Sequence, residues 1–241
     1  IEARKWQLAV KPIQPVSFLK SFRAVLSGVS FSVSTPNRVG EYLGRVLYME
    51  EGNRLRTIAV TVVSSMSQLI ITLLMGLAGL IILKPLIEQQ QLVSPVWLLV
   101  LIYGVIAAIV LLLLFYFRLS WLARWMVRIS FLKKYSYLIE AVGEFNNQAL
   151  VRMLGLSLLR YSVFILQYYL LYLFFDVEIS WWACCCTVSV SFLLMAVIPT
   201  FAIAELGIKG KVALLITGLY SNNKAGIFFV TAGIWFINLV I

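Results

Sequence analysis

Val96-Trp-Leu-Leu-Val-Leu-Ile-Tyr-Gly-Val-Ile-Ala-Ala-Ile-Val-Leu-Leu-Leu-Leu-Phe-Tyr-Phe117 runs without a single charge. As a helix it reaches about 33 Å, enough to cross a hydrocarbon core of about 30 Å. Its apolar residues fall on every side, so it is predicted to face lipid over most of its surface. The whole chain agrees with that stretch. Hydrophobic residues make up 62% of the 241, charged residues 12%, and the mean hydropathy is +0.96. Soluble domains carry about 25% charge. Backbone polar groups in lipid must be satisfied within their own segment, which makes helices the expected element. The predicted fold is all-α, a polytopic transmembrane helical bundle forming one integral membrane domain over 1–241. Ile1 in place of Met and the apolar end at Ile241 suggest further spans upstream of 1 and completion of the last span after 241.

Thr57–Leu83 reads as the span before this one, broken only by Ser64, Ser65, Ser67, Gln68 and Thr72. Leu154–Phe175 follows as a third, containing Arg160 and Gln167, and Trp181–Ile198 is a fourth apolar run ending at Pro199. Val212–Tyr220 is too short to cross, and Ala225–Ile241 begins a last span after the polar turn Ser221-Asn222-Asn223-Lys224. Glu2–Lys20 mixes charge with Trp6, Pro12 and Pro15 and reads as an interfacial lead-in whose prolines prevent a long helix. Leu119–Lys134 places Trp121, Leu122, Trp125, Ile129 and Leu132 opposite Ser120, Arg124 and Arg128. That is the pattern of a basic amphipathic helix lying in the interface. A short helix through Glu140, Glu144 and Asn147 is expected next.

Twenty basic residues stand against ten acidic ones. In a membrane chain the excess points to the positive-inside bias rather than to nucleic acid. Nine Lys and Arg precede Thr57, Lys84 alone lies between the first two spans, six fall from Arg118 to Arg152, and none lies in Asp176–Ser180. This alternation places the segment before Thr57 and the 118–152 loop in the cytoplasm. Cys184, Cys185 and Cys186 are consecutive, so on a helix they point about 100° apart and cannot close on one metal. They read as apolar filler, and no metal or cofactor is implied.

Two segments do not fit a plain bundle. Ala24–Ser34 is apolar but spans only about 16 Å as a helix, half of the core. It runs into Thr35-Pro36-Asn37-Arg38-Val39-Gly40-Glu41, with Arg45 one turn on. Downstream, Pro199 leads to Glu205, Gly207, Lys209 and Gly210. In both, an apolar run ends at proline and a glutamate follows with a base four residues later, on one helix face. A charge at mid-bilayer costs roughly 2.5 kcal/mol or more, so such residues tend to mark function. Broken helices that expose backbone to an anionic ligand are a transporter device. Two Pro-broken, re-entrant segments meeting at one polar cavity are therefore expected. A tight cytoplasmic turn with solvated charges is the alternative for each.

The chemistry suits a lipid head group. Arg38 and Arg45 can grip a phosphodiester bidentately, as Lys does less well. Glu41 and Glu205 can hold a cationic group or orient the arginines. Gly40, Gly44, Gly207 and Gly210 permit close approach of backbone or ligand. Pro36, Arg38, Gly40, Glu41, Arg45, Pro199, Glu205 and Lys209 form the candidate head-group site, with Arg160 and Gln68 as candidates for lining its cavity. Arg160 has the alternative of snorkelling to the cytoplasmic surface, and Gln68 and Gln167 that of bonding helix to helix.

The Pro-x-Arg-x-Gly-Glu element at Pro36–Glu41, with Arg45, resembles that of the lysylphosphatidylglycerol synthetase transmembrane-region family, also called flippase-like membrane proteins. Ile198-Pro199-Thr200 with Glu205-Leu206-Gly207-Ile208-Lys209-Gly210 resembles its second element. Phe201-Ala202-Ile203-Ala204 stand where that family clusters glycines, and Glu205 precedes Gly207 and Lys209 instead of following a Gly-x-x-basic run. The resemblance implies a multi-pass protein of the bacterial cytoplasmic (inner) membrane with re-entrant helices. It would move a phospholipid or polyprenyl-phosphate lipid between leaflets. The soluble lysyltransferase domain of bifunctional relatives is not among these residues. The partners implied are membrane lipids, and a homo-oligomer is compatible.

Two rivals remain on sequence. One is a membrane-embedded polyprenyl-phosphate glycosyl- or phosphotransferase. Against it, the chain has no histidine, and its carboxylates cluster at metal-ligand spacing only in Asp176-Val177-Glu178, which reads as solvated turn charge. No catalytic acid or base stands out. The other is an accessory subunit of cell-envelope lipid metabolism.

Overall fold

The structure is a computed structural model describing residues 1–32, 35, 39–118, 121, 136–198 and 202–240, for 136, 138–140, 202–205 and 239–240 the backbone alone. The described residues are helical, as expected, with no strand among them. In chain order the helices are α1 (Glu2–Val10), α2 (Phe18–Ser32), α3 (Gly40–Val46), α4 (Arg54–Gln89), α5 (Pro95–Phe117), α6 (Ser136–Gly143), α7 (Asn147–Phe174), α8 (Trp181–Val197), α9 (Ala202–Thr217) and α10 (Lys224–Val240). Three helical stretches are long and apolar enough to cross a membrane: Glu51–Gln89, Pro95–Phe117 and Asn147–Phe174. The chain is a membrane protein with transmembrane helices.

α4 outruns the hydropathy that marked it, because polar helix formers continue the turn past the lipid-compatible stretch. Arg54 pairs with Glu51 at 3.5 Å at one end, and Lys84 with Glu88 at 3.8 Å at the other. α7 starts where Asn146 Oδ1 accepts the Ala149 N–H at 2.7 Å. The predicted short helix stops earlier than expected, at Gly143. The amphipathic segment Leu119–Lys134 lies outside the described residues, apart from an exposed Trp121.

By internal contacts the chain divides into two compact units, Ile1–Ile71 with Val110–Arg160, and Thr72–Ile109 with Tyr161–Ile241. In the first unit the structure corrects the reading of Glu2–Lys20 as an interfacial lead-in. Only Pro12 and Pro15 behave as expected, separating α1 from α2. α1 itself is a core element, with Trp6, Ala9 and Val10 fully buried and packed among Val60, Val63 and Met153. Trp6 Nε1 donates to Thr61 Oγ1 at 3.3 Å, which satisfies its polar edge inside that core.

α2 and α3 pack antiparallel, late residues of one against early residues of the other. A Cβ on Gly40 would lie 2.2 Å from the Phe31 carbonyl oxygen, and one on Gly44 would lie 2.6 Å from Gly28 N and Ser27 O. Thr35 Oγ1 locks the turn by accepting the Gly40 N–H at 2.7 Å. At about 22 Å and 10 Å, neither helix reaches across a bilayer alone. Backbone, not a movable side chain, blocks a larger residue at 44. Gly44→Ala is expected to cost about 1–3 kcal/mol by overpacking, seen as a lowered melting temperature of the purified protein. An unchanged melting temperature would count against this packing.

In the second unit, α8 is capped by Ser180, whose side chain accepts the Ala183 N–H at 3.3 Å. The helix ends at Ile198, extended at φ −91° and ψ 111°, as a residue preceding proline should be. α9 begins at Ala202 and carries Glu205 and Lys209 four residues apart on one helix. Gly76 and Gly79 let α4 approach α8 closely, against Ser189, Leu193 and the Cys186 carbonyl. Cys184 and Cys186 are buried and unbonded, in keeping with a packing role. Asp176 and Glu178 are exposed turn charges. Asn223 bonds the Phe175 and Asp176 carbonyls at 3.0 and 3.1 Å and accepts the Gly226 N–H at 2.8 Å, which starts α10.

Candidate functional site

The glycine contacts that hold α3 on α2 also decide where its charges go. Glu41 and Arg45 share the inner face of α3, and Arg45 is buried to 2% exposure. The two side chains bond directly. Arg45 Nη2 reaches on to Glu2 Oε1 of α1 at 3.1 Å. The second oxygen of Glu2 takes Lys5 Nζ at 3.3 Å and Arg160 Nη1 of α7 at 2.5 Å. One carboxylate thus joins three cations from α1, α3 and α7. Lys5 is as buried as Arg45 and also donates to Ser157 Oγ at 3.3 Å, which in turn shares a hydrogen bond of 2.8 Å with Ser67 of α4. Arg45 Nε and Ser64 Oγ are buried with no hydrogen-bond partner among the described residues.

Burial by itself would raise the Glu2 pKa. Arg160, Lys5 and Arg45 outweigh that and hold it down at about 2. For Lys5 burial dominates, pushing its pKa below the ordinary value against the pull of Glu2. Glu2 titrates at about 2 folded against 4.5 unfolded, so the unfolded chain takes up the proton first and stability falls with pH. The melting difference between wild type and Glu2→Gln should be full above pH 4.5 and shrink as the pH approaches 2. A difference that stays constant over that window would contradict the ion cluster.

Of the residues predicted from sequence, Glu41, Arg45 and Arg160 come together here, and Gly40 serves the α2–α3 packing. Arg160 binds Glu2 instead of only snorkelling. Gln68 is half-buried on α4, and Lys209 half-buried on α9 in the second unit. A Cβ on Gly207 would meet nothing within 4 Å, so no protein group packs closely there, whereas the unpredicted Gly28 is closely approached by α3. Pro36, Arg38, Pro199 and the Glu205 side chain lie outside the described residues. Glu2 and Lys5 were missed. Their signal was present, since Glu2, Lys5, Trp6 and Ala9 fall on one helical face, but the charges drew that segment to the interface.

The family described as the lysylphosphatidylglycerol synthase TM region matches residues 1–240. The chain belongs to that family. No curated protein and no solved structure matches it. Membership ties this lysylphosphatidylglycerol synthase TM region to a membrane-lipid-related function. It also accords with the proline and glutamate elements first read at Pro36–Arg45. In this family member the first element feeds a buried cluster in which arginine, not lysine, takes the central place between two carboxylates.

Proposed function

We propose that the protein moves the anionic head group of a phospholipid or polyprenyl-linked lipid between leaflets of the bacterial inner membrane, through the α2–α3 hairpin. The supporting observation is Arg45: buried, held by Glu2 and Glu41, and with a free buried Nε. A phosphodiester arriving beside it can take the place of Glu41, so the guanidinium changes partner without ever standing alone in a low-dielectric site. The lipid tails stay in the membrane meanwhile. Neither α2 nor α3 can span, which suits a re-entrant pair that opens a polar path part-way through the bilayer. On this reading Pro36 and Arg38 extend the path from α3, and Pro199, Glu205 and Lys209 form its counterpart after α8. The test is transbilayer movement of labelled phosphatidylglycerol in proteoliposomes, wild type against Arg45→Lys.

A further inference from the structure

Outside that cluster, the first unit carries an open cavity of about 870 Å³. Two stripes of the same spacing form its walls, Arg4 and Leu8 on α1 with Lys11 at its C-cap, and Arg152, Leu156 and Leu159 on α7. Each stripe steps by four and then three residues, so each presents one continuous face. Arg4 is steadied by neutral groups, Gln7 Oε1 at 3.1 Å and the Phe18 ring at 4.6 Å. None of the three cations forms an ion pair with a carboxylate among the described residues. Gly155, between the charge and the leucines on α7, leaves open space where a side chain would stand.

We propose that this groove is a binding site for one anionic phospholipid, separate from the Arg45 cluster, with the phosphate at Arg4, Lys11 and Arg152 and an acyl chain along Leu8, Gly155, Leu156 and Leu159. Charge complementarity selects the occupant. Three cations with no carboxylate partner among the described residues, lining an apolar trough, match a negative head group with a hydrocarbon tail, and basic pockets between membrane helices hold acidic lipids for that reason. The basic segments contributing these residues are those the charge pattern places on the cytoplasmic side. The open Gly155 position admits the chain.

Native mass spectrometry of the whole purified protein, titrated with phosphatidylglycerol or phosphatidylcholine, tests the site. Wild type should retain phosphatidylglycerol at least tenfold more strongly, and Arg4→Gln/Lys11→Gln/Arg152→Gln should lose that preference. Gly155→Leu keeps all three charges and a sound helix, yet should weaken phosphatidylglycerol by a similar factor, which carries the test if the triple variant fails to fold. Equal retention of the two lipids, unchanged binding in Gly155→Leu, displacement by millimolar inorganic phosphate, or a shift in oligomeric state in place of lipid loss would each overturn the proposal. No transport is measured, so a protein that binds here but moves no lipid would sink the translocation reading and leave this one standing.

Discussion

Glu2→Gln is expected to lower the unfolding free energy by about 3–5 kcal/mol, the cost of removing one partner from a buried ion pair. The substitution keeps size and shape but deletes the charge that Lys5, Arg45 and Arg160 share. Lys5 then has only the Ser157 hydroxyl among its described partners, at 1% exposure. Arg45 keeps Glu41 alone. The loss should therefore exceed that of Gly44→Ala, which strains packing without stranding charge. A second substitution gives the diagnosis. Lys5→Met in the Glu2→Gln background removes one orphaned ammonium and should recover part of the stability, because a buried apolar side chain is tolerated where an unpaired cation is not. Thermal unfolding of the purified protein in detergent measures both. If Glu2→Gln melts with wild type, or if Lys5→Met adds a full second penalty, the carboxylate is not the hub of the unit.

The second large effect is on lipid movement. Arg45→Lys keeps the positive charge yet loses the planar fork that can hold a carboxylate and a phosphate oxygen at once. Translocation of labelled phosphatidylglycerol in proteoliposomes should fall at least tenfold while the protein still purifies folded. Arg38→Ala and Glu41→Ala should abolish movement, the first by shortening the basic path and the second by removing the carboxylate that an arriving phosphate would displace from Arg45. Wild-type rates in both alanine variants would reject the hairpin as the route. Wild-type rates in Arg45→Lys alone would mean that charge suffices and that bidentate grip is irrelevant.

Much of this was readable before any coordinates. The charge-free run 96–117 could only be a lipid-facing helix, and Pro95–Phe117 is one, with most of its side chains exposed. The break at Pro199 followed from the steric rule for the residue before proline, and Ile198 obeys it. Glu41 and Arg45 were legible as a pair because four residues separate them on one helix face. Helix ends were less legible. Lys84 and Glu88 read as loop by hydropathy, yet α4 runs on through them to Gln89, and the two pair at 3.8 Å.

What local sequence governs here is therefore the number and type of helices, the proline stops and pairs within one turn, since backbone satisfaction in lipid and i, i+4 geometry are short-range. Which charge neutralises which was settled only by packing. Glu2 meets Arg45 and Arg160 across separations of 43 and 158 residues. Nothing in a linear pattern encodes such a meeting. It depends on Gly28, Gly40 and Gly44 letting two backbones close to contact distance, which carries the guanidinium of Arg45 inward to the only carboxylate, besides its own neighbour Glu41, that it meets among the described residues.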